Sequence, residues 1–302
     1  MIQPRDSLIA SEKTRMQAIK DSTQLRIDRN FEMPSVPVVL SKILQSVDDN
    51  RASARRLEEL ILHDLSLSIR ILKLANSAFY SFRSEVKTIS HAIALLGLNL
   101  VKSLAIGVSI FESFTKGLRE EATYVSQLWT HSFAVGLIAQ EIWVKRSNRA
   151  EGEFALLCGL LHDLGKVIYF KKDGVRYSQL FAMEKGDDDP GIRDLELKIY
   201  GVDHASLGAL LAKQWNLPPD LATIIRLHHD DDAGGIPLVA AVSLADMSVK
   251  QAGIGYDGDH KIAANLPGLQ KLLQMDQGEL DALKLLAERK RTDVEEFFRL
   301  TA

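Results

Sequence analysis

Apolar residues recur along this chain at three- and four-residue steps, the spacing of one face of an α-helix. In MPSVPVVLSKILQSV, Val38, Leu40, Ile43, Leu44 and Val47 form such a face, entered through Pro34 and Pro37. A proline costs little there, because the first N–H groups of a helix have no intrahelical partner. SARRLEELILHD predicts the next helix, with Ser53 as its N-cap. LSLSIRILKLANSAFY repeats the pattern through Leu67, Ile71, Leu74 and Ala78. TISHAIALLGLNLVKSLAIGVSIFESF predicts two helices meeting at Gly97–Asn99.

From about Glu120 the pattern continues. YVSQLWTHSFAVGLIAQEIW predicts a long helix, and EFALLCGLLHDLGKVIYF a single further one. After a charged break at KGDDDPG come RDLELKIYGVDHASLGALLAKQW, LPPDLATIIRLHHD and IPLVAAVSLADMSVKQA, and a helical tail ending in VEEFFRL. The first 30 residues are polar and charged and read as a loose helix or tail. No alternating strand pattern and no short repeat is present, so the expected fold is all-α. AIALLGLNLVKSLAIGVSIF is charged only at Lys102. A helix apolar nearly all round must be buried, so the first half, Phe31 to Phe114, is expected to pack on the second as one folding unit.

Composition sets the bounds. A chain of 302 residues can hide roughly 75% of its unfolded surface. Net charge −3 and a pI near 6.3 give no electrostatic footprint for nucleic acid. The single cysteine, Cys158, excludes an intramolecular disulfide, and its setting FALLCGLL predicts a buried thiol. MIQPRDSLIASEKTRMQ has no signal-peptide core. No run reaches the roughly 18 uncharged apolar residues of a membrane span; LVKSLAIGVSIF comes nearest, and Lys102 interrupts it. A cytoplasmic protein without a membrane span is expected.

GLLHDLGKV puts an imidazole, a carboxylate and an ammonium side by side in an apolar run, where polar groups cost stability unless paired. Of eight histidines, five lie in such settings: His131, His162, His204, His228 and His229. One alone reads as a satisfied core residue. Five, with Asp163 and Asp246, form a ligand set for one or two divalent transition metals, iron, manganese or zinc. Asp163 could serve a neighbouring ion or bridge two, and paired ions roughly 3.5–4 Å apart clamp a phosphate ester. Lys166, one turn after His162, could meet a phosphate oxygen or orient a carboxylate. Arg70 and Lys73 fit an anion contact or, more simply, a solvated helix face. Asn76 and Ser77 fit a polar contact between helices or a cap. His63 and His91 are assigned to structure, and Trp129, Trp143 and Trp215 to the core.

The order His131, His162-Asp163, His204, His228-His229, Asp246 resembles the metal-dependent phosphohydrolases of the HD superfamily, and most closely their two-metal HD-GYP branch, which cleaves cyclic di-GMP. That resemblance implies one ion on His131, His162, Asp163 and Asp246, and another on Asp163, His204, His228 and His229, with Asp163 and Lys166 as catalytic groups. Gln127 stands where some of those enzymes carry a glutamate, and HHDDDAGGIP, with its acidic run Asp230–Asp232, replaces their signature loop. Both departures argue against cyclic di-GMP as substrate. MPSVPVVLSKILQSVDD, LANSAFY and AIALLGLN resemble the HDOD domain, an HD-related output domain of bacterial signalling proteins. The resemblance implies a tail at 1–24 and an HDOD domain at 25–227, with a helical half at 25–118 and an HD-like half at 119–227. Residues 228–302 would complete the HD-like core. It also implies a regulatory signal-transduction protein with a metal site. Its partner would be another signalling protein or a small nucleotide. The alternative is a metal-dependent phosphohydrolase acting on a nucleotide or cyclic dinucleotide.

Overall fold

The computed structural model describes residues 33–45, 50–77, 80, 82, 84–115, 121–182, 190–231, 233–259 and 266–301. The polar N-terminal stretch, Val47, Ala78, residues 183–189, which hold most of the charged break KGDDDPG, and Asp232 lie outside them. Among the described residues there are helices and no strands, as the periodicity predicts.

The first half holds α1 (Val38–Gln45), α2 (Asn50–Leu62), α3 (Leu65–Ala75), α4 (Ile89–Leu96) and α5 (Leu98–Thr115). Helix α2 begins before Ser53, so Ser53 is not its cap. Real caps stand at α3, where the Asp64 carboxylate accepts from Leu67 N–H, and at α4, where Thr88 accepts from His91 N–H. Asn76 takes the capping role, and its other polar contact is to the following loop, not to another helix. It ends α3, and its side chain donates to Val86 O (2.8 Å) and accepts from Val86 N–H (2.7 Å), clipping the following loop back onto the helix. The two helices around Gly97 meet where expected. Gly97 has φ +95°, a conformation that L side chains avoid.

The second half holds α6 (Ala122–Val144), α7 (Arg149–Leu161), α8 (Leu164–Ala182), α9 (Ile192–Tyr200), α10 (His204–Gln214), α11 (Pro219–Leu227) and α12 (Pro237–Ala252), with α13 (Leu266–Leu273) and α14 (Gln277–Thr301) packed outside α12 and α6. Helix α5 packs directly on α7, and the Arg149 side chain donates to Leu96 O at 3.0 Å. Trp215 Nε1 donates to Pro34 O at 2.9 Å from the other end. The two halves therefore share one core, which includes Cys158, Trp129 and Trp215. Trp143 and His91 are partly buried, and His63 lies on the surface. Arg70 is a helix-face residue paired with Glu112 at 2.9 Å.

Two glycine contacts set the spacing around the centre. A Cβ on Gly159 of α7 would sit 2.6 Å from Gly136 Cα of α6. The two backbones thus cross in contact, with His131 and His162 close to the crossing. A Cβ on Gly165 of α8 would sit 2.0 Å from His204 O at the start of α10. The glycine of HDLGK is thus a spacer that brings Asp163 to His204.

Candidate metal centre

EFALLCGLLHDLGKVIYF is not one helix. It breaks at His162 and Asp163, with α7 ending at Leu161 and α8 starting at Leu164. The imidazole and carboxylate stand at the junction and point into the protein, 1% and 2% exposed. His131 comes from the middle of α6, and His204 opens α10, whose N-cap Asp203 is held by Arg193 at 2.6 Å. His228 and His229 follow the last residue of α11, and Asp246 comes from α12.

All seven predicted ligand residues converge. In one group, ligand atoms of Asp163, His204, His228 and His229 lie within 4.8 Å of one another; in a second, those of His131, His162 and Asp246 do; and those of His131, Asp163 and Asp257 form a third, overlapping set. Asp163 Oδ1 is 3.3 Å from His204 Nε2 and 3.6 Å from His228 Nε2. Asp163 Oδ2 is 3.4 Å from His162 Nε2, on the side of the second group. His131 Nε2 is 2.9 Å from Asp246 Oδ1, and His162 Nε2 is 3.9 Å from it.

The ring orientations are fixed from behind. His162 Nδ1 donates to Gly159 O at 2.6 Å, and His228 Nδ1 to Ile225 O at 2.8 Å. A carbonyl only accepts, so each Nδ1 carries a hydrogen and the neutral ring's lone pair is on Nε2. His204 Nδ1 lies 2.6 Å from Glu196 Oε2, which also accepts His204 N–H, while Tyr177 O–H donates to the other Glu196 oxygen at 2.6 Å. This is the carboxylate–histidine support that metal-ligating imidazoles commonly have. His204 Nε2 then faces His229 Nε2 at 2.9 Å.

Four inward-facing atoms have no hydrogen-bond partner: His131 Nε2, Asp163 Oδ1, His228 Nε2 and Asp246 Oδ1. His131 and Asp246 approach to 2.9 Å but without the alignment of a hydrogen bond. Buried polar atoms are seldom left so. Two ligand atoms each about 2.1 Å from one ion and at right angles to each other are about 3 Å apart. The observed spacings and lone-pair directions fit a divalent ion of borderline softness.

Electrostatics agrees with the fit. Burial pushes the His228 pKa down to about 4, and burial also pushes His229 well below its usual value, so both are unprotonated at pH 7. Burial opposes charge on His162, but Asp163 and Asp246 outweigh it and raise its pKa. A proton on that ring answers the same excess of negative charge that a metal would. Burial would raise Asp163, yet His162 and Lys166 hold it well below the carboxylate range; Lys250 and His131 do the same for Asp246.

Of the two roles open to Lys166, the structure places it in the orienting one. It is fully buried, and Nζ bonds Asp163 Oδ2 at 2.8 Å and Asp257 Oδ2 at 2.9 Å. Its ammonium is enclosed between these two carboxylates. Sequence reasoning missed Asp257, Lys250 and Glu196. Lys250 bonds Asp246 Oδ2 at 3.0 Å and Asp257 Oδ2 at 3.1 Å. Asp257 is delivered by a loop whose glycines, Gly253, Gly255 and Gly258, all have positive φ. That loop lies against α6, where Tyr256 N–H donates to Gln127 O at 3.2 Å.

A cavity of about 20 Å³ reaches Asp163 between Ile110 and Phe111 of α5, Trp129 of α6 and Leu164 of α8. That is room for about one water, not for a nucleotide.

The sequence pattern of the HDOD domain matches residues 33–231. The chain belongs to the HDOD family. The match ends before Asp246, Lys250 and Asp257, so this HDOD protein completes its centre with residues outside the matched region. It is 24% identical to an HDOD domain protein of unknown function from Geobacter sulfurreducens, with a TM-score of 0.70 over 96% of this chain and 97% of that one. It superposes on a chain from Shewanella amazonensis, named as a candidate metal-dependent phosphohydrolase, with a TM-score of 0.64, 17% identity and coverage of 96% and 99%. At these identities the likeness is one of fold. Among curated sequences it is 27% identical to an uncharacterized Treponema pallidum protein over 83% of this chain and 47% of that one. It is 25% identical to ribonuclease Y of Mycoplasma mycoides over 75% of this chain and 48% of that one. The HDOD chain thus spans about half the length of the curated relatives it matches. No helix among its described residues is long and apolar enough to cross a membrane.

Proposed function

We propose that this chain is a metal-binding regulatory HDOD module. The four buried, unpartnered ligand atoms that face one another carry the metal part of this reading. The ligands would be His131, His162 and Asp246 for one ion, and His204, His228 and His229 for the other. Asp163 would offer Oδ1 to the second pocket, while its Oδ2, which accepts from Lys166, borders the first. A bound ion would supply Lewis acidity and a point of attachment for an anionic ligand.

The regulatory part rests on what roofs the centre. Ile110 and Phe111 of α5 share the small cavity with Asp163, and Phe111 stacks on Trp129 at 4.5 Å. The next residue, Glu112, accepts from Ser66 and pairs with Arg70, both on α3. A change at the centre therefore has a packed route to α3, which exposes Leu65 and Ile69 beside Arg70, at 75% and 44%. A ligand that binds two arrangements unequally shifts their populations. Adding manganese to the metal-free protein should slow amide exchange in α3 (Leu65–Ala75) by tenfold or more. Phe111→Ala should uncouple that response while metal still binds. Unchanged exchange in α3 on saturation with metal would count against the regulatory reading.

A second reading, phosphohydrolase, is favoured by the water-sized space beside Asp163 and by the partial exposure of His229. It needs the α5 roof to open. A hydrolysis panel with manganese, iron and zinc would decide it. The panel should hold nucleotides, cyclic dinucleotides and an RNA oligonucleotide, since relatives bear the name ribonuclease Y. Turnover that disappears in a His228→Ala, His229→Ala double variant would establish it.

A further inference from the structure

Each carboxylate of the centre carries an ammonium on its far oxygen, Lys166 on Asp163 Oδ2 and Lys250 on Asp246 Oδ2, but the two halves are unequal in ligand number and in what offsets that ammonium. The Asp163 pocket has four ligand groups, and the Glu196 carboxylate stands behind His204. The other pocket has three groups, and Lys250 stands behind its carboxylate. Oδ1 of Asp246 faces His131, while Oδ2 accepts from Lys250 Nζ at 3.0 Å. An ion held by Oδ1 would have an ammonium on the far side of the same carboxylate, close enough to repel it in a poorly screened interior. The Lys250 side chain is only 9% exposed and is held in place from the other side by Asp257 Oδ2 at 3.1 Å. Asp257 in turn holds Lys166 at 2.9 Å, so the two ammonium groups are fixed on one carboxylate.

We propose that Lys250 sets the metal stoichiometry: it supplies the positive charge that a second ion would bring. The Asp163, His204, His228 and His229 pocket therefore fills first, and the His131, His162 and Asp246 pocket holds its ion more weakly. This rests on the metal-binding reading above. Manganese(II) titration of the metal-stripped full chain, followed by calorimetry and elemental analysis, tests it. The wild type should bind one ion per chain, with any second ion at least tenfold weaker. Lys250→Met should tighten the second ion tenfold or more and leave the first within about twofold. Lys250→Arg, which keeps the charge, should retain the wild-type pattern. A merely structural role would instead weaken both ions together. Two equally tight ions in the wild type would overturn the inference even if Lys250→Met failed to fold. So would a second ion unchanged or weakened in a folded Lys250→Met. A wild type that binds no manganese, iron or zinc would overturn the metal-binding reading itself, whereas metal uptake indifferent to Lys250 would overturn this inference alone.

Discussion

Asp163→Ala is expected to lose the ion of the His204, His228 and His229 pocket outright, with affinity down by about 100-fold or more, and to weaken the other pocket. Loss of a group that merely supports a ligand costs 10–100-fold, and in the proposed centre Asp163 faces one pocket by Oδ1 and borders the other by Oδ2. The substitution also strands Lys166, which is fully buried and keeps only Asp257 as an acidic partner. Breaking a buried ion pair from one side costs about 3–5 kcal/mol, so the metal-free variant should unfold at clearly lower denaturant. Denaturant melts and metal titration of the same sample separate the two effects. Asp163→Asn keeps the volume and a hydrogen-bond acceptor for Lys166 but not the charge, and should recover part of the stability without recovering the metal. Full metal occupancy in Asp163→Ala would show that the carboxylate is not a ligand.

Gly165→Ala is the second large effect. Alanine is favoured over glycine in a helix by about 1 kcal/mol, so propensity alone predicts stabilisation. The added Cβ would sit 2.0 Å from His204 O, and that neighbour is backbone, which cannot rotate away. Helices α8 and α10 must part, moving His204 from Glu196 and Asp163. Overpacking in cores costs about 1–3 kcal/mol and occasionally more; with two backbones in contact the upper end is expected, so the clash outweighs the propensity gain. Chemical denaturation should show a loss of about 3 kcal/mol, with weaker metal binding in whatever folds. A variant as stable as the wild type would mean that α8 and α10 do not approach as described.

The helices and the ligand set were legible because both depend on local signals. Apolar spacing marks a buried face, and imidazoles inside such faces stand out. The break between α7 and α8 was hidden, because Leu160, Leu161 and Leu164 continue the apolar run across it and all are buried. Glu196 was hidden in RDLELKIY, where neighbouring charges read as a solvated face; only the fold turns that one carboxylate inward to His204. Asp257 lies in GIGYDGD, a glycine-rich loop that sequence reads as surface, and positive-φ glycines instead turn it against α6. Lys250 could have been found. It stands four residues after Asp246, the spacing of a helical ion pair, and the pair forms. The catalytic expectation for Lys166 did not anticipate its burial, because spacing along a helix gives direction but not what covers it.

Both readings of this chain depend on the inward-facing imidazoles and carboxylates holding metal. Elemental analysis of the full chain, purified without chelator and without added metal, tests it most directly. Close to one iron, manganese or zinc per chain is expected, lost in Asp163→Ala. Less than about 0.1 metal per chain, with no uptake of any of these ions on reconstitution at neutral pH, where metal sites of this donor type bind, would contradict it.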